Sequence, residues 1–290
     1  MHDIVSIAIG TITMRPYVFT FLVVYLLAAS AHLGWRKTFL FTVIGYLIAF
    51  VSEYASINTG FPYGWYYYID VTKDKELWIA GVPFFDSISY VFLSYCSYAT
   101  ALLVVSPVKA WGSNFITLET RAIRKSLAVL ILASLFQVFL DIIIDPVALK
   151  GSKWFLGQIY GYREKGIHFG VPVSNYLGWL IVSILMVLAL QIIDTKVGNK
   201  RELPEAGIWN SPYKALLGPI LYLSVILFNI SITLLIGEKL MATTAIFCFS
   251  LPATILTSLV IRRINRYSID ELDEHLRDYP WSPARRRIKR

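Results

Sequence analysis

Long apolar stretches follow one another along nearly the whole chain, separated by short polar or aromatic-rich segments. A helix needs about 20 apolar residues to cross a hydrocarbon core roughly 30 Å thick. Seven stretches meet that length: 17–34, 38–57, 82–105, 127–149, 171–193, 213–236 and 239–261. The segment Ile4–Thr13, ahead of Arg15, is apolar but too short to cross. It is expected at the interface or packed on the bundle. The pattern predicts an all-α polytopic membrane protein with about seven transmembrane helices. Residues 1–264 are expected to form a single transmembrane domain, followed by a basic tail over 265–290.

Acids interrupt this pattern. Asp141 and Asp145, the latter leading straight into Pro146, sit inside the fourth stretch. Glu53 lies near the end of the second, and Asp86 near the start of the third. A charge at the centre of a bilayer helix costs roughly 2.5–3.5 kcal/mol on insertion scales, so four acids in apolar segments point to a buried polar site.

Composition agrees with a membrane protein. Of the 290 residues 56% are hydrophobic and 16% charged, against about 25% charged in soluble domains. The net charge of +8 does not indicate nucleic acid, because nine of the 27 Lys and Arg fall between Arg262 and Arg290, after the last apolar stretch. Cys96 and Cys248 both lie in apolar stretches, without CxxC or Cys/His metal spacing, and are expected as small core residues. His32 and His168 have no matching ligand set, so no metal site is expected. Ala29-Ser30-Ala31 follows an apolar run, but the n-region before it is long and weakly charged, so an uncleaved first helix is expected.

The loops sort by charge. Arg36, Lys37, Lys109, Arg121, Arg124, Lys125, Lys196, Lys200, Arg201, Lys214 and the tail share one side, which carries 19 basic residues against 8 opposite. The positive-inside rule therefore makes the C-terminus cytoplasmic, in a multi-pass protein of the cell membrane.

Gly81-Val82-Pro83 recurs as Gly170-Val171-Pro172, 89 residues later. Each copy opens a stretch, where proline is tolerated in a first helical turn. Three positions beyond each proline lies a polar residue, Asp86 or Asn175, and Glu53 plus the same offset lands one residue from Asp141. The unit is an acid-bearing span, an aromatic loop and a GVP-led span, used twice in parallel over about 38–105 and 127–193. Sites often form at the interface of such repeats.

Asp141 and Asp145 are four apart and share a helix face. In a low dielectric two close carboxyls cannot both ionise cheaply, which leaves one acid and one carboxylate, a pair suited to general acid–base chemistry. A structural polar cluster around Pro146 is the plainer alternative. The aromatic loops hold Tyr63, Trp65, Tyr66 and Tyr68 in one copy and Trp154, Tyr160 and Tyr162 in the other. An interfacial belt accounts for such residues; a lining for a long conjugated ligand, or a face for a carbocation, is the functional alternative.

The chain resembles the membrane-bound carotenoid biosynthesis family, whose characterised members are carotenoid 1,2-hydratases acting on γ-carotene-like or bacterioruberin-precursor ends. The likeness rests on Glu53, Gly60-Phe61-Pro62-Tyr63-Gly64 with Tyr66 and Tyr68, and Gly81-Val82-Pro83. The second half adds Asp141-x3-Asp145-Pro146, Trp154, and Gly170-Val171-Pro172-x2-Asn175-x2-Gly178-Trp179. Tyr63 stands where the family has Phe, and Asp86 and Tyr90 stand in a stretch expected to be apolar with a Trp.

The resemblance implies a hydro-lyase that adds water across the terminal 1,2 double bond of an acyclic carotenoid end, through a tertiary carbocation and without a cofactor. It implies Asp145, Asp141, Glu53 and Asn175 as catalytic candidates, and Tyr63, Tyr66, Tyr68, Trp154 and Trp179 as substrate contacts; Asp86, as a further buried acid, and Trp65 and Tyr160, from the aromatic loops, join these candidates on the residue pattern alone. Expected partners are membrane lipid, the carotenoid and other membrane enzymes of that pathway. A proton-coupled transporter, a lipid-binding membrane protein and a polyprenyl transferase remain the alternatives. A retinal receptor is disfavoured because 239–261 has no internal lysine.

Overall fold

The computed structural model describes residues 4–197 and 211–287. Lys200, Arg201, Lys289 and Arg290, counted above among the basic residues of one side, lie outside them. The helices run α1 (Ile4–Met14), α2 (Pro16–Leu33), α3 (Trp35–Thr59), α4 (Phe84–Val105), α5 (Arg121–Arg124), α6 (Leu127–Ala148), α7 (Val173–Lys196), α8 (Leu217–Leu235), α9 (Lys239–Arg263) and α10 (Ile269–Asp278). Among the described residues α2, α3, α4, α6, α7, α8 and α9 are long and apolar enough to cross a membrane, α8 together with the 3-10 turn before it. They match the seven predicted stretches to within a few residues, and the protein is an all-α polytopic membrane protein.

The central element is α4, buried along most of its length and packed against α2, α3, α6, α7 and α8. Its sequence explains this. Ser87, Ser94, Ser97, Ala99 and Ala101 are small and buried, and small residues let helix backbones approach where lipid offers no hydrophobic drive. At the other extreme, α9 lies outermost against α8, with only Met241 and Ala242 buried among its described residues. Helix α1 does not cross; Thr11 is its one buried residue and accepts the Leu77 N–H at 2.7 Å.

The repeated tripeptide marks a repeated conformation. Ala80 and Gly81 have φ of 46° and 84°, and Phe169 and Gly170 have 50° and 97°. Ile79 pairs with Val82 and His168 with Val171 across these turns. Two successive residues at positive φ are what a tight two-residue hairpin turn demands, which is why glycine occupies the second place in each. The prolines differ slightly from expectation. Pro83 and Pro172 are extended N-cap residues, one step outside the first turn of α4 and α7.

Two strands bring the aromatic loops together. In β1 (Tyr66–Tyr68) and β6 (Tyr160–Tyr162), the residues pair antiparallel as Tyr66 with Tyr162, Tyr67 with Gly161 and Tyr68 with Tyr160. The intervening strands are β2 (Trp78–Ile79), β3 (Val82–Pro83) and the hairpin β4 (Val108–Trp111) with β5 (Asn114–Thr117).

That last hairpin lies at the opposite end of the bundle. There α10, started by a Ser268–Glu271 capping box, folds back on it, with Leu272, Leu276 and Ala284 packing on Ile116 and Leu118. Within the expected basic tail, these residues form a docked helix. Beneath it lies a buried ionic cluster. Glu119 meets His32 at 2.9 Å and Arg124 at 2.8 Å, and Asp194 meets Lys37 at 2.8 Å.

Candidate functional site

Each repeat delivers its polar residues to the same end of the bundle, under the β1–β6 ladder. From the first repeat, Glu53 on α3 accepts hydrogen bonds from Ser87 on α4 and, at 3.1 Å, from the Tyr68 hydroxyl. The same hydroxyl lies 2.6 Å from Asp86. A phenol has one proton, so it can donate to only one of these carboxyls. Tyr68 therefore bridges the two carboxyls, serving one of them at a time.

From the second repeat, Asp145 accepts from three donors. Tyr160 donates at 2.6 Å, Tyr162 donates to its other oxygen, and Asn175 on α7 donates at 2.8 Å. Asn175 uses its second amide hydrogen on Asp141, at 2.7 Å. The other Asp141 oxygen, Oδ1, meets no donor in the protein. Glu53, Asp141, Asp145 and Asn175 are all buried, and Asp86 is partly so.

Burial, then the Asp145 charge, hold the Tyr160 and Tyr162 phenols well above the ordinary value of 10. Burial acts likewise on Tyr66 and Tyr68, with Glu53 and Asp86 adding to it. All four are therefore protonated donors at neutral pH. Their rings form one cluster between the two carboxyl groups, with Tyr66 6.3 Å from both Tyr160 and Tyr162. Beneath them Tyr90 stacks on Trp179 at 4.3 Å, and Tyr63 packs against both.

Residues 5–252 match the family described as carotenoid biosynthesis protein. The chain belongs to that family. A curated relative, bisanhydrobacterioruberin hydratase of Haloarcula japonica, is 28% identical over 159 residues, covering 54% of this chain and 46% of the relative. The matched part thus spans about half the length of that relative. No solved structure matches. Membership makes this a membrane protein of carotenoid biosynthesis.

In this member of the carotenoid biosynthesis family, the structure brings together Glu53, Asp86, Asp141, Asp145, Asn175, Tyr66, Tyr68 and Tyr160, with Tyr63 and Trp179 packed below. Two expected contacts sit elsewhere. Trp65 lies under the Arg163 guanidinium at the rim of the loop. Trp154 donates its Nε1–H to the Val147 carbonyl and packs on Tyr17 and Phe155.

Three contributors escaped the sequence reading. Ser87, next to Asp86, carried no signal beyond adjacency. Tyr162 read as one of many loop aromatics. Arg15 is fully buried, pairs with Glu76 at 2.9 Å and donates to the Leu156 carbonyl at 2.7 Å, so it ties both aromatic loops to the start of α2. A lone arginine between two apolar segments was the available clue.

Proposed function

We propose that this chain is a cofactor-independent carotenoid hydratase, a hydro-lyase acting on the terminal 1,2 double bond of an acyclic carotenoid end. The observation that carries the reading is the unequal treatment of two adjacent carboxyls. Three donors converge on Asp145, which suits it to remain a carboxylate; Asp141 receives one, from Asn175, and is the better proton holder.

The chemistry divides between them. Asp141 protonates the less substituted alkene carbon, and the π electrons form that C–H bond, leaving a tertiary cation. Water adds through its oxygen to the cationic carbon and loses a proton to Asp145. Proton return from Asp145 to Asp141 completes the cycle. The tyrosine rings and the Tyr90–Trp179 stack offer π faces to the cation, an attraction of about 2 kcal/mol or more when desolvated. Glu53 and Asp86 form the alternative water-holding pair. The C-terminus is cytoplasmic in this reading, which places the carboxyl site toward the outer face of the cell membrane.

Expression in a lycopene-producing host, followed by chromatography and mass spectrometry of the pigments, tests the proposal. A product heavier by one or two waters is expected, and Asp145→Asn should abolish it while the protein still accumulates in membranes. Full activity in that variant overturns the assignment.

A further inference from the structure

One turn below Asp141, on the same face of α6, Gln137 is fully buried between helices. Ser94 of α4 donates to its Oε1 at 2.9 Å, which fixes the amide. The other end of that amide, Nε2, meets no hydrogen-bond partner in the protein. Ser183 on α7 is likewise fully buried, and its hydroxyl also lacks a partner. Helices α4, α6 and α7 pack on one another, and Gln137 and Ser183 are both buried within the bundle they form. Because Asn175 is bonded to Asp141 and α6 and α7 run in opposite directions, Gln137 and Trp179 fall in the next layer inward, with Ser183 one turn deeper.

A buried amide N–H2 without an acceptor is costly, and in a membrane no bulk solvent relieves it. Chains keep such a group where a bound molecule completes it. The missing partner must be small and polar, able to accept from Nε2 and to donate to a carboxyl one turn away. Water meets these demands.

We propose that the α4–α6–α7 seam holds water beneath Asp141, that Gln137 Nε2 orients it, and that this water is the one added to the alkene. The inference rests on the hydratase reading. With Nε2 donating to the water oxygen, a water hydrogen is free for Asp141, and the second lone pair is free to form the C–O bond. Its released proton reaches Asp145 through Asp141, which protonating the alkene has left ionised. Gln137 is thus a positioning residue, and Ser183 extends the seam inward toward further water.

Two readouts on the full-length protein in membranes test this. Radiolytic hydroxyl labelling, read by mass spectrometry, oxidises side chains next to bound water even when they are buried. Trp179 is expected to be labelled in the wild type and several-fold less in Gln137→Leu, with exposed Trp281 unchanged as the internal control. In pigment assays Gln137→Leu should lower kcat at least tenfold, leave KM for the carotenoid unchanged, and melt no lower than the wild type. Ser183→Ala supplies a second variant should Gln137→Leu fail to accumulate, with a smaller loss of Trp179 labelling expected. Equal Trp179 labelling in wild type and variants, or unaltered kcat, overturns the proposal. Labelling that falls in the variants while the wild type forms no hydrated pigment overturns the hydratase reading instead.

Discussion

Asp145 receives hydrogen bonds from Tyr160 and Tyr162 of β6 and from Asn175 of α7. Their burial keeps both phenols protonated, so the donors do not switch off near neutral pH. A hydrogen bond to a charged group is worth about 1.5–3 kcal/mol, or roughly 10- to 100-fold in rate if it is made only when Asp145 is ionised. Tyr162→Phe is therefore expected to lower hydration by that factor. Steady-state product formation at saturating carotenoid checks it. Tyr67→Phe, on the neighbouring strand position with an exposed ring, should leave the rate near wild type.

At the scale of elements, the aromatic loops are placed by close approaches as much as by pairing. A Cβ added at Gly178 would meet the Pro62 carbonyl oxygen and Tyr63 Cδ1, both at 2.6 Å. Gly178→Val should push the first loop off α7, separate Tyr68 from Asp86, and abolish product while helix content by circular dichroism stays unchanged. The opposite end has its own dependence. His275 on α10 donates from Nδ1 to the Glu119 carbonyl at 2.6 Å, and its Nε2 meets the Ser282 hydroxyl at 2.7 Å, accepting from it when the imidazole is neutral. Burial holds its pKa below 6.5, with Arg124 and Lys214 acting in the same direction and Glu119 against. A depressed pKa contributes stability above the unfolded value and loses it as pH falls through the folded one. Acidification below 6.5 is thus expected to speed hydrogen exchange in Ile269–Asp278 before it affects α4.

For the whole molecule, the ion cluster with α10 at one end and the tyrosine–carboxyl site at the other give the bundle two chemically distinct faces. The charge count predicts an orientation, with the C-terminus cytoplasmic, and that prediction has a direct check. In a cysteine-free background, a cysteine replacing Lys73 should react with an impermeant maleimide in intact cells. One replacing Arg121, whose side chain is 76% exposed, should react only after permeabilisation. The reverse pattern would invert the assignment of the site to the outer face.

Much of this was legible in the chain itself. Spans follow from local hydropathy, because the bilayer imposes a fixed length on any stretch without charges. Asp141, Asp145 and Asn175 stood out because a polar residue in an apolar run has no local explanation. The repeat was visible through glycine and proline, which answer to backbone conformation and so keep their spacing. What local pattern could not carry was partnership. That Tyr162 meets Asp145, that Tyr68 bridges Glu53 and Asp86, and that Trp154 turns toward Tyr17 depend on the β1–β6 register and on helix packing between segments far apart in sequence. Arg15 and Gln137 belong to the same class: the chain displays them as isolated polar residues, and only their neighbours decide that one ties the loops and the other is left with an open donor. Sequence alone determined a seven-span membrane protein with acids inside it. Tertiary structure decided which groups meet those acids, because hydrogen bonds between side chains are set by three-dimensional distance and are silent in one-dimensional periodicity.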